Sequence, residues 1–109
     1  MDELEAGSRL PITVEVVADE GGTAIVTITG ELDLSTIGAL MAEVAPVFEG
    51  ELSRLIVDVG ALRFADSSAI ALWVRWANTV RTFELRDPPT FLRRVITVMG
   101  LGDKLGLKA

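Results

Sequence analysis

The side chains best suited to chemistry lie together where Asp66, Ser67 and Ser68 follow an apolar segment, residues 55–59. That segment is typical of a strand, and helical spacing of apolar residues begins directly after the serines. The two hydroxyls are therefore expected at a helix N-terminus, where free backbone N–H groups and the helix dipole favour anions and side-chain oxygens. A hydroxyl there either caps the helix or takes part in recognition, and the residue types alone leave both roles open.

Two further aspartates have similar alternatives. Asp33 lies in the turn segment 30–36, which ends in good N-cap residues, so it either caps the next helix or contributes to recognition. Asp58 and Asp66 are the one conceivable carboxylate pair. We expect Asp58 instead to lie at a strand end and to bond backbone or Arg63, which argues against acid–base chemistry.

The residue types that are missing exclude most catalytic and cofactor sites. The chain contains no histidine and no cysteine, which removes the usual general base near neutral pH, thiol chemistry and the commonest metal ligands. It also lacks a glycine-rich phosphate loop of the G-x-x-x-x-G-K kind. The sequence therefore predicts a protein that is not an enzyme and that uses neither a metal nor a cofactor.

Charge and hydropathy restrict the partners. Sixteen acidic and ten basic residues give a formal net charge of −6, whereas nucleic-acid binding needs a basic surface. No uncharged run reaches the roughly 18 to 20 residues of a membrane span, and the start of the chain is acidic, unlike a secretory signal. We expect a cytoplasmic protein that binds no nucleic acid and does not insert directly into a membrane.

The 109 residues are expected to form a single domain, with 1–9 as a flexible leader. Strands are predicted at 11–17, 23–30, 54–59 and 82–86, and helices from 37 to about 48, from 67 to about 80 and from 90 to 99. The resulting order is β-β-α-β-α-β-α. Helices that follow strands require parallel crossovers, so we predict an α/β fold with a mixed four-stranded sheet and helices packed on it.

A helical wheel assigns faces to the helix that starts at the serines. With Ser68 at the centre of the outer face, Leu72 and Arg75 share that face and Trp76 falls on its border, whereas Trp73 lies in the core stripe. Leu72, Trp76 and Ser68 together then form a modest exposed apolar patch, which favours a partner surface.

Three segments of the chain resemble the STAS domain, the fold shared by sulfate transporter tails and anti-sigma factor antagonists. Residues 30–36 match the family's G-E-L-D-x-x-T segment, and residues 55–68 match its L-I-V-D-L … F-x-D-S-S-G segment. Residues 94–101 resemble its closing R-V-x-x-x-x-G-L segment. The matches span nearly the whole chain in the right order, and the middle one is the most specific.

The resemblance implies an anti-sigma factor antagonist. Such a protein binds an anti-sigma factor that is also a serine kinase, is phosphorylated on the second serine of the D-S-S segment, here Ser68, and is restored by a serine phosphatase. Asp33, Asp66 and Ser67 match the family's contact surface around that serine. The helical wheel adds three residues to this predicted partner surface, namely Leu72, Arg75 and Trp76.

Two departures from the family pattern support an alternative. Ala69 stands where the family has glycine, and its methyl group is expected to hinder a close kinase loop. The second helix is also shorter than the family pattern by about one turn. The alternative is a constitutive STAS subunit of a membrane transport complex or a signalling scaffold.

Overall fold

The structure, a computed structural model, describes residues 12–107. The strands are β1 (Ile12–Ala18), β2 (Thr23–Leu32), β3 (Arg54–Ala65) and β4 (Thr82–Arg86), and the helices are α1 (Ile37–Phe48), α2 (Ser67–Thr79) and α3 (Thr90–Val98). The predicted element order is confirmed. The predicted leader, residues 1–9, lies outside the described part of the chain.

The four strands form one mixed sheet in the order β1-β2-β3-β4. β1 pairs antiparallel with β2 through a tight turn, in which the Asp19 carboxylate accepts the N–H groups of Gly21 and Thr23 at 2.8 and 3.0 Å. β2, β3 and β4 are parallel, so α1 and α2 are the crossover connections. The predicted α/β architecture is confirmed.

All three helices cover the same face of the sheet. Alternate residues of β2 and β3 are fully buried and join one apolar cluster with the inward residues of every helix. The Cα atoms span only 18 Å along the shortest axis, which fits one sheet layer and one helix layer. The members from β2 and β3 are Ala24, Val26, Ile28, Leu32, Leu55, Val57, Val59 and Leu62.

β3 is longer than the sequence predicts, because it continues to Ala65 instead of ending at Val59. Its partner β2 also continues, and two register shifts, between Thr27 and Thr29 and between Gly30 and Glu31, keep the strands paired as far as Leu32 and Ala65. Such irregularities bend a strand and redirect its end. The extension delivers the chain directly to Asp66 and the start of α2.

The C-terminal segment closes the β4 edge of the sheet. Leu105 is fully buried, and the Leu85 N–H donates to the Leu105 carbonyl at 2.9 Å. Gly106 has a φ of +64°, and a Cβ atom at this residue would lie 2.1 Å from the Phe83 carbonyl oxygen. A side chain at position 106 would therefore push the segment off the sheet.

None of the helices within residues 12–107 combines the length and the apolar character needed to cross a membrane.

Candidate functional site

Asp66 is the N-cap of α2. It has an extended backbone, and its Oδ1 atom accepts the Ser68 backbone N–H at 3.0 Å, which satisfies one of the free donors of the first helical turn. The same Oδ1 atom accepts the Ser68 hydroxyl. Both the backbone and the side chain of Ser68 are therefore held by one carboxylate oxygen.

The second oxygen of Asp66 connects α2 to the turn between β2 and α1. Its Oδ2 atom accepts the Leu34 N–H at 3.3 Å, and the Asp66 N–H donates to the Leu32 carbonyl at 3.2 Å. Asp33, the second predicted aspartate, lies in this turn. The structure thus brings the two predicted aspartates to the same end of the sheet, joined through Leu34.

Asp33 organises its own turn and does not act as the N-cap of α1. Its Oδ1 atom accepts the backbone N–H and the hydroxyl of Ser35 at 2.9 and 2.6 Å, and its backbone N–H donates to the Thr36 hydroxyl oxygen at 3.0 Å. Thr36 occupies the N-cap position without a side-chain hydrogen bond to the helix. Its buried hydroxyl lies 3.1 Å from the Glu31 carbonyl that it donates to.

These hydrogen bonds keep both aspartates ionised. The Ser35 hydroxyl, helped by backbone donors, lowers the pKa of Asp33 below its usual value. The Ser68 hydroxyl, followed by the Ser68 and Leu34 N–H groups, lowers the pKa of Asp66 in the same way. The junction therefore carries two negative charges at neutral pH, one of them in direct contact with the Ser68 hydroxyl.

Ser67 is exposed, Ser68 is half-buried and Ala69 is fully buried. The Ala69 side chain belongs to the apolar core, so its methyl group faces inward, away from any molecule that approaches Ser68. The expectation that this methyl group hinders a kinase loop is therefore wrong. A half-buried hydroxyl at a helix N-terminus can be reached from solvent.

The predicted exposed patch on α2 is wrong. Leu72 is 4% exposed and Trp76 is 8% exposed, and the Trp76 ring packs against the Phe48 ring of α1 with centroids 5.7 Å apart. The centre of the outer face lies about 60° from Ser68, between Ser67 and Arg75. The exposed stripe runs through Ser67, Ala71, Arg75 and Asn78, which turns Leu72, one turn before Trp76, towards the core.

Arg75 is exposed as predicted and lies two turns after Ser67 on the outer stripe of α2. Trp73 is fully buried, as its place in the core stripe predicts. Asp58 accepts the Gly60 N–H at 3.0 Å, whereas Arg63 lies 3.8 Å from Glu31. The predicted bond from Asp58 to the backbone is confirmed, whereas its predicted position at a strand end is wrong, because β3 continues to Ala65.

Sequence reasoning missed Leu34, an exposed apolar residue beside the junction, and the exposed Phe64, which pairs with Glu31 on the sheet face opposite the buried Leu32. Leu34, whose N–H binds Asp66, is 77% exposed, and Phe64, two residues before Asp66, is 47% exposed. The available signal was an apolar residue within a polar turn, in the case of Leu34. Large exposed apolar side chains next to a polar centre are typical of a protein-binding surface.

The described residues contain no group of three or more acidic, histidine or cysteine side chains placed to hold a metal ion. The junction instead offers the half-buried Ser68, two ordered carboxylates, a helix N-terminus and the exposed apolar side chain of Leu34. These groups suit binding and covalent modification of an oxygen better than they suit turnover.

Comparison with known proteins agrees with this geometry. The family model described as "Mlab, STAS domain" matches residues 16–107. The chain belongs to the STAS-domain family. The match includes β2, α1, β3 and α2, and therefore the whole Asp33–Ser68 junction.

Among curated relatives, this STAS domain is 31% identical over 93 residues to the anti-sigma-F factor antagonist RsfB of Mycobacterium tuberculosis, with 83% of this chain and 75% of that protein covered. A solved anti-sigma factor antagonist from Mycobacterium paratuberculosis is 26% identical, with a TM-score of 0.73 over 86% of this chain and 82% of that one. Unphosphorylated SpoIIAA, an anti-sigma factor antagonist, is 23% identical, with a TM-score of 0.72 over 84% of each chain. The last likeness shows the shared fold.

Proposed function

We propose that this STAS domain is an anti-sigma factor antagonist that binds an anti-sigma factor through the surface around Ser68. The observation that carries the proposal is the pair of contacts from Ser68 to Asp66, which present a reachable hydroxyl at a helix N-terminus within a partly apolar surface. The names of its relatives support the class of partner.

Phosphorylation of Ser68 by the anti-sigma factor is the proposed off-switch. A phosphate on Oγ replaces the proton that the hydroxyl donates to Asp66 and adds about −1.5 to −2 charges beside that ionised carboxylate. The free N–H groups and the dipole of the α2 N-terminus favour the added charge, so the fold survives. The phosphate on Ser68 and the Asp66 carboxylate then repel each other, which weakens the contact between these two residues.

Phosphorylation of Ser68 also affects the proposed binding surface, because Asp66 contacts both Ser68 and Leu34. Its Oδ2 atom holds the Leu34 N–H, and Leu34 is the most exposed apolar side chain beside the junction. When the phosphate repels the carboxylate, this bond is weakened and the turn that carries Leu34 loses a fixed point. A partner would then face a poorly solvated dianion and a loosened apolar contact, and both effects favour release.

Reversal of the switch requires a serine phosphatase, which we propose as the second partner. Ser67, Asp33 and Arg75 are proposed as further contacts, because each lies beside the junction or on the outer stripe of α2. Leu72 and Trp76 are not among them, since both side chains are committed to the core.

The function is tested with purified protein and the cognate anti-sigma factor. Isothermal titration calorimetry measures binding of the unmodified chain. Incubation with ATP followed by peptide mass spectrometry then locates any phosphate, with Ser68→Ala as the control. Binding together with a phosphate on Ser68 supports the proposal. Phosphate on Ser67, or equal labelling of Ser68→Ala, would overturn the switch, and stable association with a transport ATPase instead would favour the constitutive-subunit alternative.

A further inference from the structure

β1 is an edge strand of the sheet that residues 12–107 form. Its seven residues pair with β2 in a regular antiparallel register, Ile12 with Gly30 through Ala18 with Ala24, without a bulge. Within residues 12–107 no strand lies on its other side. An edge of this length presents a row of backbone N–H and C=O groups that can pair with another extended chain.

The opposite edge of the sheet, β4, is covered by another part of the chain. The C-terminal segment lies against β4, with the Leu105 carbonyl accepting the Leu85 N–H and Gly106 in close approach to Phe83. Closing one edge is a common way to prevent unwanted strand pairing. The described part of the chain protects β4 and leaves β1 available.

A groove of about 360 Å³ runs beside this open edge, between β1 and α1. Its walls are Ile12 and Val14 on the core side of β1 and the small exposed residues Ala39 and Ala42 of α1, with Glu43 also lining it. Val14 is only half-buried, although it packs against the core. An added strand would place alternate side chains in this groove and complete the burial of Val14.

The charges at this edge define the occupant. Glu15 is exposed on the face of β1 away from the groove, Glu43 lines the groove, and Asp19 and Glu20 follow the end of the strand. All four are acidic. In a segment that alternates apolar and basic residues, the apolar side chains would lie over Ala39 and Ala42. The lysine or arginine side chains would point to the other face of the sheet, beside Glu15.

A second copy of the chain is a poorer occupant. Full antiparallel pairing of two β1 strands is centred on Glu15, the middle residue of Ile12–Ala18, and sets that glutamate opposite its own symmetry mate. Like charges directly opposite each other destabilise a strand pair. A shift of register avoids the clash only by giving up paired residues.

We propose that the β1 edge and the groove beside α1 bind an extended, basic and apolar segment of another protein by strand addition. The proposal is independent of the Ser68 junction, because it uses the outer edge of β1 and the exposed side of α1. The protein would then hold two partner segments at once, only one of them controlled by Ser68.

The test is a titration of the ¹⁵N-labelled chain with a blocked peptide of alternating valine and lysine, about eight residues long, followed by NMR at about 0.15 M ionic strength. Saturable shifts confined to the amides of residues 12–18 and 38–43 support the site. A peptide with glutamate in place of lysine, and one with N-methylated backbone amides, are expected not to bind.

Two double variants with the same change in net charge locate the binding. Glu15→Gln with Glu20→Gln, which removes exposed charges on the outer face of β1 and just after its end, should weaken the lysine peptide about fivefold. Glu49→Gln with Glu51→Gln, which alters exposed glutamates beyond the groove, should change it less than about twofold. The proposal would be overturned if both double variants lost the same peptide affinity or if the N-methylated peptide bound. A dimer that sedimentation detects and that pairs through β1 would overturn it as well. Because the first pair should leave anti-sigma factor binding unchanged, a failure here is distinguishable from a failure of the proposed function.

Discussion

The Ser68 hydroxyl donates to the Asp66 oxygen that also accepts the Ser68 backbone N–H. The residue proposed for phosphorylation is thus held by the carboxylate that caps α2. The expectation that a serine hydroxyl caps this helix is wrong, because Asp66 supplies the cap and the Ser68 hydroxyl donates to it. A change at Ser68 therefore acts on a structural contact as well as on the surface.

Removing the cap should destabilise the protein measurably. Asp66→Ala loses the Ser68 and Leu34 hydrogen bonds, and we expect it to lower the free energy of unfolding by about 1 to 2 kcal/mol. Glu49→Ala, at an exposed position after α1, serves as the control and should stay within about 0.5 kcal/mol. Urea denaturation at pH 7 measures both, and equal effects would contradict the capping role.

The two lowered pKa values predict loss of stability in acid. Each aspartate is more acidic in the folded state, so its contribution is complete above the usual aspartate pKa and is lost as pH falls through the lowered one. NMR titration of the carboxyl carbons provides reciprocal controls. Ser68→Ala should raise the pKa of Asp66 and leave that of Asp33 in place, and Ser35→Ala should do the reverse. A common shift of both would refute these separate causes.

The inward position of Leu72 predicts a large truncation cost. Leu72→Ala removes a side chain that is 4% exposed and should cost about 2 to 5 kcal/mol. The matched control is Val98→Ala in α3, where the side chain is 82% exposed, with an expected change within about 0.5 kcal/mol. Urea denaturation measures the loss of free energy of unfolding in both variants. A similarly small loss in both would contradict the buried position of Leu72.

Alanine substitutions at two glycines distinguish the close contact at the β4 edge from the cost of a left-handed backbone alone. Gly100 and Gly106 both have positive φ, at +76° and +64°, but only Gly106 approaches another strand. Gly100→Ala should cost about 1 to 2 kcal/mol from the left-handed backbone alone. Gly106→Ala should cost clearly more, because its Cβ would meet the Phe83 carbonyl. Equal values from thermal or urea unfolding would argue against the close contact.

Most of the fold could be predicted from the sequence because local signals and tertiary packing agree. The 82–86 strand and the helix starting at Ser67 lie where periodicity places them. β3 extends beyond Val59 because β2 continues beside it with two register shifts, and pairing of this kind depends on a neighbouring strand and leaves no local pattern.

The candidate site was predictable in residue type and less so in orientation. The helix start at the serines was predicted, but Asp66 and not a serine hydroxyl supplies the cap. The bond from Leu34 to Asp66 joins residues 32 positions apart, so no local pattern predicts it. The wheel failed because Ser68 is half-buried and does not mark the centre of the outer face. A rotation of about 60° was enough to misplace Leu72 and Trp76.

The central claim is that negative charge at Ser68 releases the anti-sigma factor. The most direct measurement compares the affinity of the purified anti-sigma factor for wild type, Ser68→Asp and Asn78→Asp, the last adding the same charge at an exposed position about 15 Å along α2. We predict at least about tenfold weaker binding for Ser68→Asp, or about 1.4 kcal/mol, and near wild-type affinity for Asn78→Asp. Undiminished binding by Ser68→Asp, with serine-phosphorylated protein behaving the same way, would contradict the account.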